Sequence, residues 1–178
     1  QKNQEFLLRV FQKLVSETER YNRLKLLLLG DGDQRSALYN MCYELGLSVF
    51  DPNMSSSYRY SQVCFLGFEE NPYPLIGRAR LFVMTSRWEG LPIVLLESMS
   101  LGVPGVVADC SEGIRSAWQM STDQQKSLKR GACYWTPYGA LINGMDDDGA
   151  TFHTWTTAIS QLLSDEVLHG KCSNASRV

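Results

Sequence analysis

Short apolar runs alternate with helix-length amphipathic segments along this chain, and no other feature restricts its fold as strongly. Four apolar runs have the length of buried strands, at residues 24–29, 63–66, 80–85 and 104–108. Because a helix-length segment separates each run from the next, the order is typical of right-handed βαβ units with a parallel sheet. The sequence therefore predicts an α/β fold, with a Rossmann-like parallel sheet covered by helices on both faces.

Local signals place the other elements. Apolar residues at helical spacing predict an opening helix that ends near Tyr21, and the unbroken run at 24–29 predicts a strand buried on both faces. After this strand, Gly30-Asp-Gly32 forms a tight turn, and Asp33 is suited to cap a helix that ends at Gly46. The remaining predictions are a surface loop at 51–61, a last short strand at 139–142 and a final helix at 150–163.

The chain begins with a helix, although a doubly wound α/β half normally begins with a strand. We therefore expect a fold that lacks its first strand, in a sequence cut from a longer protein. Of the 178 residues, 44% are hydrophobic and 20% are charged. Residues 1–178 are accordingly expected to form a single globular domain with a well-buried core.

Composition excludes several classes of function. A formal net charge of −2 gives no general attraction to nucleic acid or to anionic lipid, so any anion site must be local. The apolar runs are far shorter than the roughly 20 residues of a membrane-spanning helix, and no secretory signal is visible. The five cysteines are scattered and never form a Cys-x-x-Cys pair, which predicts reduced, buried thiols in a cytoplasmic protein.

The segment from Ser86 to Glu97 carries the strongest functional signal. Two glutamates, Glu89 and Glu97, flank a Gly-Leu-Pro turn and an almost wholly apolar helix. Pro92 is suited to the first helical position, which leaves the next amides free to face an anion. Glu97 is the one ionisable side chain between Pro92 and Leu101, and we expect it to be buried and to need a hydrogen-bond partner.

Other motifs follow the same edge of the predicted sheet. Gly30-Asp-Gly32, Gly67 and residues 87–92 come directly after strands, and ligands of open α/β sheets bind beyond the carboxyl ends of the strands. These three segments are therefore expected to form one site.

The order of these motifs establishes a family resemblance. The spacing of Glu89 and Glu97, the turn between them, and the motifs Gly30-Asp-Gly32, Phe65-Leu-Gly67 and 108–115 together resemble the retaining nucleotide-sugar glycosyltransferases of family 4. The resemblance runs from Lys2 to about Asp165. It implies that the chain is the C-terminal, donor-binding half of a two-domain GT-B fold, and that the N-terminal acceptor domain is absent from this chain.

The resemblance also implies a role for each matching residue. Glu97 corresponds to the glutamate that receives the ribose hydroxyls of the donor, and Glu89 to the catalytic glutamate that faces the transferred sugar. Lys2 corresponds to a lysine that neutralises the diphosphate, although the family's arginine a few residues upstream is missing here. Apolar side chains after the strand and on the helix line the nucleoside, and backbone amides of the turn meet the pyrophosphate or the sugar. These other donor-binding positions are Gly30, Gly32, Leu66, Gly90, Leu91, Pro92, Ile93 and Leu96.

The activity implied by the resemblance is transfer of a glycosyl unit, typically a hexosyl unit, from a nucleotide diphosphate to an acceptor hydroxyl with retained configuration. The lysine and the helix amides would stabilise the departing diphosphate, so neither a metal nor another cofactor is expected. The glycan or lipid-linked acceptor would bind the missing domain, and membrane association, at the cytoplasmic face, would occur only through that domain. We therefore expect the isolated chain to be inactive. Such enzymes build bacterial surface polysaccharides, including capsule and lipopolysaccharide.

Two other interpretations stay open at this point. One is a sugar-nucleotide epimerase of the same GT-B fold, which the spacing of Glu89 and Glu97 disfavours. The other is a non-catalytic nucleotide-binding or interaction domain of receiver-like α/β topology, which would need an acidic cluster at a strand end that Asp31 and Asp109 alone do not supply. The Asp-x-Asp spacing at residues 146–148 is interpreted as a solvated turn and not as a metal site.

Overall fold

The computed structural model describes residues 1–52, 57–146 and 148–176. The helices are α1 (Gln4–Glu17), α2 (Arg35–Glu44), α3 (Tyr73–Ile76), α4 (Ile93–Ser100), α5 (Glu112–Ala117), α6 (Thr122–Lys126), α7 (Gly149–Ser164) and α8 (Glu166–Ser176). The strands are β1 (Leu26–Leu29), β2 (Val49–Phe50), β3 (Val63–Gly67), β4 (Phe82–Met84), β5 (Gly105–Ala108), β6 (Cys133–Thr136) and β7 (Gly139–Ile142). The predicted α/β class, with parallel strands and helices on both faces, is confirmed.

The chain divides into two compact units. The N-terminal unit is Gln4–Pro72, and the C-terminal unit combines Gln1–Asn3 with Tyr73–Val178. Each unit contains its own sheet and its own cluster of buried apolar residues.

The N-terminal unit contains a three-stranded parallel sheet in the order β1-β3-β2. Its core combines residues of α1, α2 and β3 with Leu47, which follows α2; the members are Leu8, Phe11, Leu38, Cys42, Leu47, Val63 and Phe65. β3 begins with three buried residues, whereas β1 is only half-buried, with Leu29 exposed. The prediction of a first strand buried on both faces was therefore wrong, because β3 occupies the centre of this sheet and β1 flanks it.

The sequence predicted the C-terminal end of α2 correctly but not its N-cap residue. Gln34, and not Asp33, is the residue before the helix, and its side chain makes no capping hydrogen bond. At the other end Gly46 has a φ of +68°, as its position after the helix requires. The amide of Leu47 donates to the carbonyl of Cys42 and that of Gly46 to Tyr43, which is the Schellman pattern.

The predicted surface loop at 51–61 is described only in part. Residues 57–61 include a short 3-10 helix, Tyr58–Tyr60, and residues 53–56 lie outside the described part of the chain.

The C-terminal unit contains a four-stranded sheet in the order β4-β5-β7-β6, in which only β6 runs antiparallel, against β7. β6 was not predicted from the sequence. It is the edge strand, and its Trp135 is 36% exposed. The predicted last strand is β7, and all four of its residues are buried.

A close approach of β5 to β7 organises the core of this unit. Gly105 and Gly139 face each other in register, and a Cβ on Gly139 would overlap the Gly105 carbonyl oxygen. On the other side, a Cβ on Gly105 would lie 2.9 Å from the ring of the buried Trp118. The remaining members of this cluster are Met84, Leu95, Val107, Ile114, Met120, Tyr138 and Leu141.

The last part of the chain is helical. α7 matches the predicted helix at 150–163 to within one residue at each end, and Asp148 caps it by accepting a hydrogen bond of 2.6 Å from the Thr151 amide. α8 was not predicted. No helix in the described ranges is long and apolar enough to cross a bilayer.

All five cysteines are free thiols. Cys42, Cys64 and Cys172 are buried as expected, whereas Cys110 and Cys133 are only half-buried. Burial raises the pKa of Cys42 to about 12 and that of Cys133 to about 11, so both thiols stay protonated at neutral pH.

The contact between β5 and β7 gives a stability prediction. We expect Gly139→Ala to lower the free energy of unfolding by about 3 kcal/mol or more, because the methyl group overlaps the Gly105 carbonyl and the φ of +136° disfavours a side chain. Urea unfolding followed by tryptophan fluorescence measures the change.

Gly149→Ala is the matched control, since nothing lies within 4 Å of a carbon added there. Its stability should change by no more than about 1 kcal/mol. Equal stabilities of the two variants would contradict the close packing of β5 and β7.

Candidate functional site

The N-terminus of α4 lies at the carboxyl end of β4, after the buried residues Thr85 and Ser86. Pro92 is the N-cap, with an extended ψ of 124°, and the helix begins at Ile93. The prediction of Pro92 as first helical residue was therefore wrong by one position. Its carbonyl, which accepts from the Leu95 amide at 3.1 Å, starts the helical hydrogen bonds.

The amides around this N-cap are available to a ligand. Those of Gly90, Leu91 and Ile93 donate to no other group in the part of the chain that the structure describes. Ile93 is 73% exposed and Leu91 is also exposed. Because free amides and the helix dipole both favour negative charge here, this end of α4 is suited to bind an anion.

The loop before α4 is held through the carbonyl oxygen of Gly90. The Ser111 hydroxyl donates a 2.6 Å hydrogen bond to the Gly90 carbonyl and accepts one from the Ile114 amide, which caps α5. A Cβ on Gly113 would lie 2.8 Å from the same Gly90 oxygen. The carbonyl of Gly90 is thus fixed, while its amide stays open.

The N-terminal strap, residues 1–3, lies against the same loop. The Thr85 hydroxyl is 3.1 Å from the carbonyl oxygens of both Lys2 and Asn3, and the Arg87 amide donates to the Gln1 carbonyl. These contacts place Nζ of Lys2 2.6 Å from Oε1 of Glu89, although 87 positions separate the two residues. The structure therefore brings together two residues that the family resemblance had singled out.

The Lys2–Glu89 pair is buried on one side only. The Glu89 side chain is 10% exposed, whereas that of Lys2 is 52% exposed. Burial alone would raise the pKa of Glu89, but the hydrogen bond and charge of Lys2, with a contribution from Ser86, bring that pKa below its usual value. Glu89 is therefore a carboxylate at neutral pH.

Cys110 is a neighbour of Glu89 that the sequence analysis did not single out. Burial raises the pKa of the Cys110 thiol, and the negative charge of Glu89 raises it further. This thiol is accordingly protonated at neutral pH. No signal in the sequence pairs these residues, because the contact depends on how the loops after β4 and β5 fold.

Glu97 is half-buried, so the prediction of a buried carboxylate was wrong. α4 buries the face that carries Leu95 and Ser98, while Leu96 on the other face is 40% exposed. Glu97 lies at the margin, and its Oε1 accepts a hydrogen bond of 3.0 Å from the Tyr73 hydroxyl. The sequence analysis missed Tyr73, which belongs to none of the motifs.

The other predicted donor-binding residues belong to the N-terminal unit. Gly30 has a φ of +103° and its amide donates to the Gly67 carbonyl at 2.6 Å. Arg35 fixes the turn through ion pairs to Asp31, at 2.8 Å, and Asp51, at 2.9 Å. Gly32 and Leu66 occupy the same unit, at the carboxyl ends of β1 and β3. That these residues share a site with those of the C-terminal unit stays a prediction.

The structure describes the two ends of the Asp-x-Asp segment at residues 146–148. Asp146 accepts two hydrogen bonds from the Arg130 guanidinium, and Asp148 caps α7, while residue 147 lies outside the described part of the chain. Among the described residues, no three His, Cys, Asp or Glu side chains are placed to hold a metal ion. Independence from metal remains a prediction.

Comparison with known proteins identifies the family. Residues 1–128 match the family model described as glycosyl transferases group 1. The chain belongs to this family.

Three relatives illustrate the similarity. An uncharacterized glycosyltransferase of Methanocaldococcus jannaschii, MJ1059, is 33% identical over 79% of this chain and 30% of its own length. The lipopolysaccharide core biosynthesis glycosyltransferase LpsE of Rhizobium meliloti is 34% identical over 89% of this chain and 37% of its own. A crystal structure of a mutant of S. aureus TarM, in complex with fondaparinux, alpha-GlcNAc-glycerol and UDP, superposes with a TM-score of 0.70 at 20% identity, over 99% of this chain and 29% of that one.

The fold is that of GT-B glycosyltransferases, and both curated relatives are named as glycosyltransferases. The chain spans about a third of the length of the two curated relatives.

The Lys2–Glu89 pair gives a prediction that needs no ligand. Because the folded-state pKa of Glu89 lies below its usual value of 4.5, the pair stabilises the fold above that pH and the contribution is lost as the pH falls. In Lys2→Met the hydrogen bond and charge of Lys2 are lost while the contribution of Ser86 remains, so we expect the pKa of Glu89 to rise above its wild-type value and the loss of stability to begin at higher pH. Carbon-13 NMR titration of the Glu89 carboxyl measures the change.

Lys13→Met removes another lysine in an ion pair, the exposed contact of Lys13 with Glu17, and should leave the pKa of Glu89 unchanged. A Glu89 pKa that is the same in wild type and Lys2→Met would show that the pair does not form in solution.

Proposed function

We propose that this chain is the C-terminal, donor-binding domain of a retaining glycosyltransferase of family 4, which transfers a sugar from a nucleotide-diphosphate sugar to an acceptor hydroxyl. The observation that carries the proposal is the Lys2–Glu89 ion pair beside the free amides of the α4 N-terminus. An exposed cation and a helix N-terminus suit a diphosphate, and an adjacent carboxylate suits the sugar attached to it.

The diphosphate would bind the amides of Gly90, Leu91 and Ile93, with Pro92 shaping the turn. The ammonium of Lys2 is exposed enough to turn from Glu89 toward the phosphates. Glu89 would then face the transferred sugar, where it can hold hydroxyl groups or stabilise positive charge at the anomeric carbon.

Glu97 would receive the ribose hydroxyls of the donor. The carboxylate is half-buried on the accessible side of α4, next to the exposed Leu96, which would line the nucleoside. Each hydrogen bond to a charged group contributes about 1.5–3 kcal/mol. Gly30, Gly32 and Leu66 stay predictions of the family resemblance.

The proposed reaction breaks the bond between the anomeric carbon and the diphosphate, and forms a bond from that carbon to the acceptor oxygen with the same configuration. Lys2 and the α4 amides would stabilise the charge that develops on the departing nucleoside diphosphate. No metal or other cofactor is needed for this task. The acceptor would bind an N-terminal domain that is not part of this chain.

The biological setting is proposed from relatives. LpsE of Rhizobium meliloti is named for lipopolysaccharide core biosynthesis, and a relative from Erwinia amylovora is named for amylovoran biosynthesis. The full protein would build a surface polysaccharide or glycolipid at the cytoplasmic face of the membrane. No observation favours the epimerase or the non-catalytic interpretation.

Nucleotide titration tests the donor site. We expect the chain to bind one of UDP, GDP and ADP by isothermal calorimetry in buffer that contains EDTA, and Glu97→Gln to weaken that binding at least tenfold, since about 1.4 kcal/mol of hydrogen bonding is lost. Glu44→Gln, at an exposed end of α2, is the matched control and should bind like the wild type. No binding to any nucleotide by a folded chain would favour the non-catalytic interpretation.

A transfer assay tests whether the acceptor site lies on another domain. The isolated chain, given a nucleotide-sugar donor and a glycan or lipid-linked acceptor, should form no glycoside, because the acceptor site is proposed to lie on another domain. Mass spectrometry of the acceptor measures this. Glycoside formation by the isolated chain would contradict the proposal.

A further inference from the structure

A hydrogen bond connects α3 to the carboxylate at the centre of α4. The Tyr73 hydroxyl donates to Oε1 of Glu97 at 3.0 Å. Tyr73 is the first residue of α3, Glu97 lies in the second turn of α4, and both belong to the C-terminal unit. Tyr73 is 49% exposed, so the ring is not a core residue, and packing in the core does not dictate the hydrogen-bond partner of its hydroxyl.

The backbone of α3 passes close to the C-terminal end of α4. Ile76 is buried, and the Gly77 amide donates to the Tyr73 carbonyl at 2.8 Å. A Cβ on Gly77 would lie 3.8 Å from a methyl carbon of Leu101, the C-cap of α4. Pro74 also restricts the backbone next to Tyr73. The tyrosine hydroxyl therefore reaches Glu97 from a backbone turn that is closed by a hydrogen bond and restricted by Pro74.

We propose that Tyr73 is a positioning residue for the donor nucleotide, whose hydroxyl fixes the plane of the Glu97 carboxylate so that two ribose hydroxyls meet acceptors already in place. This role rests on the proposed function of Glu97. A carboxylate offers about four lone-pair sites on its two oxygens. Tyr73 occupies one of them on Oε1, which leaves Oε2 and a second site on Oε1 for the ribose.

The side chain of Glu97 needs such a restraint. It has three rotatable bonds and is only half-buried, and no side chain other than Tyr73 donates to its carboxylate within the described ranges. The hydrogen bond and the negative charge of Glu97 raise the pKa of Tyr73, so the hydroxyl keeps its proton at neutral pH. Holding the carboxylate before the ligand arrives reduces the entropy lost on binding.

The test separates ribose recognition from the rest of the site. UDP, GDP and ADP are each titrated against their 2′,3′-dideoxy analogues by calorimetry, and the base that the wild type binds most tightly is carried through the variants. The wild type should prefer the ribonucleotide at least tenfold, and Glu97→Gln should remove that preference.

Tyr73→Phe should weaken ribonucleotide binding about fivefold, as expected for one lost hydrogen bond, and change dideoxynucleotide binding less than about twofold. The unchanged dideoxynucleotide affinity also shows that the variant is folded. Tyr43→Phe, at a fully exposed tyrosine of α2, is the matched control and should behave like the wild type for both ligands.

Each of the other outcomes would overturn the inference, and each has a different meaning. Equal losses for both nucleotides in Tyr73→Phe would mean a structural role only, and an unchanged preference would mean no role. A wild-type chain that binds no nucleotide, or does not distinguish the two sugars, would overturn the proposed function of Glu97 and with it that of Tyr73.

Discussion

The one-sided burial of α4 is the constraint on which the candidate site depends. Leu95 and Ser98 are almost completely buried, and the Ser98 hydroxyl donates to the Leu95 carbonyl, so that its polar atom is satisfied inside the core. Residues three or four positions apart share a face of a helix, which places Ile93 and Leu96 on the exposed side. Because the helix is anchored through one face only, its first turn and Glu97 stay accessible without any loss of packing.

The charge distribution around Glu89 follows from a similar constraint. A carboxylate that is only 10% exposed would be costly without a partner, and the ammonium of Lys2 supplies one. Under the proposed function Lys2 has two successive anionic partners, first Glu89 and then the donor diphosphate. Glu89 would exchange the lysine for the hydroxyl groups of the sugar, so that the buried carboxylate is hydrogen-bonded in both states.

The sequence was informative where one physical signal dominated. Apolar runs bounded by turns predicted β3, β5 and β7, and Gly46 ended α2 because few other residues adopt its positive φ. The family resemblance singled out Lys2 and Glu89 separately, and no signal in the sequence predicted the contact between them. β6 and Tyr73 could not be predicted, because a strand with an exposed edge has no continuous apolar run, and a hydrogen bond across 24 positions leaves no periodic trace.

The Ser111 hydroxyl connects two elements that the chain separates by 21 positions. The same oxygen accepts from the Ile114 amide, as the cap of α5, and donates to the Gly90 carbonyl in the loop before α4. Fraying of the first turn of α5 would therefore remove one of the two hydrogen bonds that orient this hydroxyl. Local unfolding of the six-residue helix and opening of the Gly-Leu-Pro loop are coupled through one oxygen atom, and a helix that contributes no amide to this loop helps to set its rigidity.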